Sequence, residues 1–157
     1  MPHLDPAYNL ARWLAGNDHD AEDIVQEACL RGFRGIAGFR GGDARSWLLR
    51  IVRNTAYTWL KKNRPGKFVS LADDELAELE DKDAPAILFD RMDIALLRAA
   101  LEELPAEFRE ALVLRELEGL SYKEIADIAD VPIGTVMSRL ARARAQLQNH
   151  FARKGYL

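Results

Sequence analysis

The sequence has little of what most enzymes need. It contains one cysteine, Cys29, which excludes an internal disulfide. The neighbours of Cys29 are apolar, which predicts a core residue rather than a reactive thiol. The three histidines, His3, His19 and His150, lie far apart without metal-ligand spacing. Neither a phosphate-binding glycine loop nor a nucleophile motif occurs, so we expect no enzymatic activity, no cofactor and no metal.

Long hydrophobic runs are also absent. No apolar run approaches the roughly 18 residues that a membrane span needs. The start of the sequence, MPHLDPAYNL, lacks the basic start and apolar core of a signal peptide. We therefore expect a cytoplasmic protein, and 157 residues suffice for one domain or two small ones.

Acidic residues are missing from the end of the chain, although the net charge is −3. Residues 131–157 hold five basic residues and no acidic one, and residues 31–67 hold ten basic residues and one acidic residue. Residues 1–30, 68–90 and 91–130 are all net acidic. Because affinity for nucleic acid grows with the number of phosphates neutralised, two separate basic segments predict two nucleic-acid surfaces.

Strand-like alternation is absent, whereas apolar residues recur at three- and four-residue spacing, which predicts an all-α fold. Three helices are predicted in the first part of the chain. The first covers about residues 8–15, the second begins near Asp20, and the third covers about residues 44–62. The second of them should turn these apolar residues inward: Ile24, Val25, Ala28, Cys29, Phe33 and Ile36.

Residues 66–86 are acidic and poor in large apolar residues, which is typical of a linker. A further helical stripe begins at Ile94, and Pro105 opens another helix that Gly119 closes. We therefore expect two small helical domains, residues 1–65 and 87–157, joined by an acidic linker over residues 66–86.

The second domain carries the pattern of a helix-turn-helix. Ser121 and Glu124 have capping-box spacing, and residues 130–134 interrupt the apolar periodicity. The following stretch, TVMSRLARARAQL, places Val136, Leu140, Ala143 and Leu147 on one arc and Thr135, Ser138, Arg139, Arg142 and Gln146 on the other. The second helix of a helix-turn-helix enters the DNA major groove. Two alternative interpretations of this pattern are a helical hairpin without DNA contacts and an ordinary helix whose charged face is solvated.

Several segments of the sequence together resemble a known family. DAEDIVQEACLRGF and GDARSWLLRIVRNTAYTWLKKNRP resemble region 2 of extracytoplasmic-function (ECF) sigma factors, and the stretch from LEELPAEF to RARAQL resembles their region 4. The resemblance implies a dissociable subunit of bacterial RNA polymerase. Core RNA polymerase and promoter DNA are the implied partners, and an anti-sigma factor is allowed as a further one.

The first basic segment combines positive charge with aromatic rings, a pattern typical of single-stranded DNA binding. Trp47 and Trp59 are expected in the core, which leaves Tyr57 as the exposed aromatic candidate. The resemblance implies that Asn54 binds a flipped base of the −10 element. The full −10 set is Arg50, Arg53, Asn54, Thr55, Ala56, Tyr57, Lys61 and Lys62.

The resemblance also implies which residues bind polymerase and the −35 element. The polymerase-binding set is Asp20, Glu22, Asp23, Gln26 and Glu27. Asp20 and Asp23 have the alternative role of helix caps, which does not extend to Gln26 and Glu27. The −35 set is Thr135, Met137, Ser138, Arg139 and Arg142. A basic residue is common in the family where Met137 stands, which leaves the −35 sequence open because methionine cannot donate paired hydrogen bonds to guanine.

A helix-turn-helix regulator that binds duplex DNA without polymerase is the main alternative function. A simple regulator needs no DNA-melting domain, so the basic segment around Asn54 argues against it.

Overall fold

The computed structural model describes residues 4–36, 39, 41–67 and 93–155. Within these ranges the chain forms α-helices and no strands, which confirms the all-α prediction. The helices are α1 (Leu4–Ala15), α2 (Asp18–Arg34), α3 (Ala44–Asn63), α4 (Ile94–Glu102), α5 (Ala106–Leu112), α6 (Tyr122–Ala129) and α7 (Ile133–Arg153).

Helices α1, α2 and α3 pack against one another and form the first helical group. Gly16 ends α1 with a φ of 94°, a conformation that favours glycine, and Asn17 then caps α2 by accepting a hydrogen bond from the Asp20 amide. Asp43 caps α3 in the same way. Helix α1 begins four residues earlier than the periodicity suggested, because Pro6 is compatible with a first helical turn.

The prediction that Cys29, Phe33 and Ile36 point inward is wrong. Cys29 is exposed, and Phe33 and Ile36 are 78% and 60% exposed. Helix α2 instead buries Ala21, Ile24, Ala28 and Gly32, and Gly32 faces the side chains of Trp47 and Ile51 on α3. The face that packs on the neighbouring helices therefore lies on a different side of α2 from Cys29, Phe33 and Ile36.

Helices α4 to α7 form the second helical group. Helix α5 continues into a π-helical turn, Val113–Leu117, and Gly119, with a φ of 70°, ends this segment as expected. Ser121 and Glu124 make both hydrogen bonds of the predicted capping box at the start of α6. Helix α7 packs on α5 and α6, which completes the helix-turn-helix.

The two groups also pack against each other. Helix α3 contacts α6, and α1 contacts α4 and α5, so their buried apolar residues form one continuous core. Of the predicted linker, only residues 66 and 67 lie among the described residues. None of the described helices has the length and apolarity that crossing a membrane requires.

Candidate DNA-binding and polymerase-binding surfaces

One part of the predicted −10 set lies on the accessible side of α3. Asn54, Lys61 and Lys62 are exposed, and Thr58 joins them on the exposed side one turn after Asn54. The Thr58 hydroxyl donates to the main-chain carbonyl of Asn54 at 3.0 Å, and the Asn54 side-chain oxygen accepts a hydrogen bond from Arg53 at 3.1 Å. An exposed amide with ammonium groups further along the helix suits a base edge flanked by phosphates.

Another part of that set points into the protein. Thr55 and Ala56 are buried, and the Thr55 hydroxyl donates to the Ile51 carbonyl at 2.7 Å. Tyr57 is only 7% exposed, so the expectation of an exposed aromatic at this position is wrong. Three consecutive residues therefore form the inner support of α3, while Asn54 before them stays outside.

Tyr57 is buried because it belongs to a polar cluster with Arg53 and Glu110. The Arg53 guanidinium lies 3.8 Å from the centre of the Tyr57 ring, and its Nε lies 3.0 Å from Glu110 Oε2. Burial raises the pKa of Tyr57 well above its ordinary value, and the Glu110 carboxylate adds to this shift. Burial, the largest single influence, would lower the pKa of Arg53, but Glu110 and Tyr57 together outweigh it and the pKa is raised.

Two further arginines of this segment are bound by the second helical group. Arg50 donates to the main-chain carbonyl of Asp127, and Arg45 donates to the carbonyl of Glu118 at 3.0 Å. The Glu118 carboxylate also lies 3.6 Å from Arg45. These acceptors were not predicted from the sequence, because nothing in their local spacing links them to α3.

Arg109 of α5 is a second polar connection between the groups, and the sequence analysis missed it as well. Its guanidinium is 2% exposed, and burial lowers its pKa. It donates to the carbonyl oxygens of Trp13, Leu14, Leu101, Glu102 and Leu104. Because Trp13 and Leu14 end α1, the positive charge lies at the negative end of the α1 dipole.

Two tryptophans of the first group, Trp47 and Trp59, are half-buried. Trp59 packs on the core beneath Arg64, which agrees with its expected core role. Trp47 instead contacts Phe39, with ring centroids 5.0 Å apart, and does not belong to the residues packed on the core.

The helical wheel of α7 describes the structure well except at one position. Its apolar arc is buried as predicted, with Leu140, Ala143 and Leu147 fully inaccessible. Arg139, assigned to the outer arc, is only 8% exposed and takes part in contacts inside the protein. A long side chain close to the edge of a buried face can fold onto the protein, which periodicity alone does not show.

The amino-terminal turns of α7 hold the accessible part of the −35 set. Met137 is exposed, whereas Thr135, Ser138 and Arg142 are half-buried. The Ser138 hydroxyl donates to the Gly134 carbonyl at 3.0 Å. The Nε of Arg142 is buried and finds no acceptor among the residues that the structure describes.

The predicted polymerase-binding residues divide into a half-buried cap and an exposed surface. Asp20 accepts a hydrogen bond from the Asn17 side chain at 2.6 Å, so it belongs to the start of α2. Potential metal ligands of His19, Asp20 and Asp23 lie within 4.8 Å of one another, but His19 and Asp23 are exposed and Asp20 already has this partner. Glu22, Asp23, Gln26 and Glu27 are exposed, and Glu27 forms an ion pair with Arg31 at 3.2 Å.

Exposed apolar side chains extend this surface along α2. Gln26, Leu30 and Phe33 follow one another at four- and three-residue spacing, which places them on one side of the helix. Leu30 is 52% exposed and Phe33 78% exposed. Contiguous exposed apolar residues mark interaction surfaces more often than isolated ones, and the sequence analysis had placed Phe33 in the core.

Comparison with known proteins links these surfaces to one family. The family model "Sigma-70 region 2" matches residues 1–65, and the model "Sigma-70, region 4" matches residues 94–147. The ECF RNA polymerase sigma factor SigE of Mycolicibacterium smegmatis is 40% identical over 152 residues, which cover 96% of this chain and 59% of SigE. The ECF RNA polymerase sigma-E factor of Haemophilus influenzae is 39% identical over 150 residues, covering 89% of this chain and 78% of that protein.

Solved structures show the same architecture. The sigma factor RpoE of Bartonella quintana, in complex with the anti-sigma factor NepR, superposes with a TM-score of 0.71 at 27% identity, covering 96% of this chain and 92% of RpoE. CnrH, in complex with the cytosolic domain of CnrY, shares the fold with a TM-score of 0.69 at 24% identity, covering 97% of this chain and 84% of CnrH. The chain therefore belongs to the sigma-70 family and, within it, to the extracytoplasmic-function group.

Proposed function

We propose that this chain is an alternative sigma factor that binds core RNA polymerase and directs it to promoters. The observation that carries the proposal is the combination, in one chain, of an exposed asparagine and lysines on α3 with a helix-turn-helix in a separate helical group. The chain spans about three fifths of the length of SigE, so this activity is proposed for the described regions.

In this proposal residues 1–65 act as region 2 and residues 87–157 as region 4, and residues 66–86 connect them. Asn54 binds an unstacked base of the −10 element, and Lys61 and Lys62 bind neighbouring phosphates. Thr55, Ala56 and Tyr57 act from beneath by holding α3 in place, because their side chains are buried. Arg50 and Arg53 join the DNA-binding set once they leave their present acceptors.

For the −35 element, the first turns of α7 enter the major groove. Gly134 and Met137 are exposed there, and the free amides of a helix start favour a phosphate. Arg142, which is half-buried on the outer arc of α7, is the proposed base-reading arginine. Arg139 has a supporting role, because it is buried in the domain.

Core RNA polymerase is proposed to bind the exposed side of α2. Glu22, Gln26 and Glu27 supply polar contacts there, and Leu30 and Phe33 supply apolar area that is otherwise left in water. The relatives include a sigma factor solved with an anti-sigma factor, which supports an anti-sigma factor as a further partner. Since RNA polymerase is its partner, we place the protein in the cytoplasm.

Transcription from a promoter library by purified core polymerase, with and without the chain, tests this function. We expect new transcripts that start a fixed distance downstream of shared −10 and −35 sequences. DNA binding without any chain-dependent transcript would instead support the regulator without polymerase binding.

A further inference from the structure

The first two turns of α7 carry no charged side chain. The stretch over residues 131–138, VPIGTVMS, holds apolar residues, one glycine, one threonine and one serine. Val136 is buried in the core, and the Ser138 hydroxyl donates to the Gly134 carbonyl at 3.0 Å. The part of α7 that the proposed function directs towards base edges therefore has little side-chain hydrogen-bonding capacity left.

Two large apolar side chains are exposed in these turns. Ile133 is 45% exposed and Met137 is 37% exposed, although α7 has a separate buried arc for its other apolar residues. The two residues are four positions apart, so they lie on one side of the helix, roughly 6 Å apart along its axis. Gly134 adjoins them, and a Cβ on Gly134 would meet no atom of the described residues within 4 Å. Ile133 and Met137 thus form an apolar pair beside open space.

The surroundings of the apolar pair favour DNA as its partner. Residues 131–157 hold five basic residues and no acidic one, a charge that complements phosphates. In the major groove, bases present hydrogen-bond donors and acceptors, and thymine adds an apolar group, its 5-methyl group. The thioether side chain of methionine is flexible and adapts to the shape of such a group. An apolar side chain in the groove therefore distinguishes thymine from the other bases.

We propose that Met137 is a specificity-determining residue that contacts the 5-methyl group of a thymine in the −35 element, and that Ile133 excludes water from this contact. The inference rests on the proposed function, because it requires α7 to lie in the major groove. Base pairs follow one another at about 3.4 Å, so an apolar pair extending over roughly 6 Å covers about two neighbouring base pairs. The preference for thymine is confined to that short span.

Deoxyuridine isolates this contact, because it differs from thymidine only by the missing 5-methyl group. Promoters selected by the complex of the full chain with core polymerase would carry deoxyuridine at one −35 thymine at a time, on either strand. Competition against the unmodified promoter gives the ratio of the two affinities at each position. Met137→Ala is the test variant. Leu96→Ala on α4 is its matched control, because Leu96 is also 37% exposed.

For the parent chain we expect deoxyuridine to weaken binding about threefold to fivefold at one −35 thymine at least, the size expected for one buried methyl group. Met137→Ala should bind thymine and deoxyuridine equally at such a position and keep the parent ratios at the other positions. Leu96→Ala should keep the parent ratio at every position.

Equal affinities for thymine and deoxyuridine at every −35 position of the parent, or unchanged ratios in Met137→Ala, would overturn the inference. A loss of affinity for core polymerase in Met137→Ala, measured without DNA, would also overturn it, because the apolar pair would then face the polymerase. Failure of the proposed function has a different signature. In that case no promoter gives a chain-dependent transcript, so no −35 element is selected at all.

Discussion

Adjacent residues of α3 have opposite surroundings. The Arg53 side chain lies between Tyr57 and Glu110, whereas Asn54 is exposed and its side-chain oxygen accepts a hydrogen bond from Arg53 at 3.1 Å. In this structure Asn54 is therefore accessible from outside, whereas the guanidinium of Arg53 is occupied by Glu110. Two neighbouring residues of one predicted site thus differ in accessibility.

Arg109→Lys is the first prediction at this scale. Lysine keeps the charge but cannot donate to five separate carbonyl oxygens in the fork geometry of arginine. We expect the free energy of unfolding in urea to fall by about 2 kcal/mol, because buried carbonyls lose their donors. Arg115→Lys is the control, since Arg115 donates to a single carbonyl, that of Leu120, and should lose less than about 1 kcal/mol. An equal loss of unfolding free energy in both variants would show that the five hydrogen bonds of Arg109 stabilise the protein no more than the single one of Arg115.

Arg142→Ala tests base reading by α7. A bidentate contact between arginine and a base contributes about 1–3 kcal/mol of discrimination, whereas a phosphate contact weakens all sequences alike. We expect binding to a preferred −35 duplex to fall by at least fivefold, with relaxed preference at one or two positions. Arg144→Ala is the comparison, because Arg144 is engaged by Glu116. Equal losses on matched and scrambled duplexes would make Arg142 a phosphate contact.

At the scale of elements, the sequence predicted where helices begin and end better than which side they bury. Asp43 and Pro65 bound α3 almost as expected, and the capping box at Ser121 marks the start of α6, because these signals are local. The face that a helix buries depends on its neighbours. Helix α2 turns Ala28 and Gly32 towards its neighbours, which leaves Phe33 outside, and a helical wheel of α2 alone does not show which face the neighbours cover.

Phe33→Ser tests the exposed side of α2. Because Phe33 is 78% exposed, we expect the free energy of unfolding to change by less than about 0.5 kcal/mol. Affinity for core polymerase should fall by at least fivefold, about 1 kcal/mol, since a buried aromatic anchor would be lost from the interface. Ile94→Ser, at a 62% exposed apolar position of α4, is the control and should keep its affinity. A stable Phe33→Ser with unchanged affinity would move the polymerase surface away from α2.

At the scale of the whole molecule, the polar contacts between the two helical groups could not be predicted from the sequence. Arg53 and Glu110 are separated by 57 positions, and each looks like an ordinary surface charge in its own helix. The alternation of basic and acidic segments along the chain predicted two basic surfaces. It did not predict that one of them packs on acidic residues of the second helical group. Such pairing depends on how the two groups dock, and periodicity describes each group alone.

Base unstacking at the −10 element distinguishes a sigma factor from a protein that only binds duplex DNA. A duplex promoter from the transcription library would carry 2-aminopurine within the −10 element, and its fluorescence would be followed with core polymerase and the chain. We expect a rise in fluorescence that requires both proteins and that Asn54→Ala strongly reduces, while Thr58→Ala, at an exposed neighbour on α3, retains it. No rise with both proteins present, or the same rise with polymerase alone, would contradict the assignment of sigma activity to this chain.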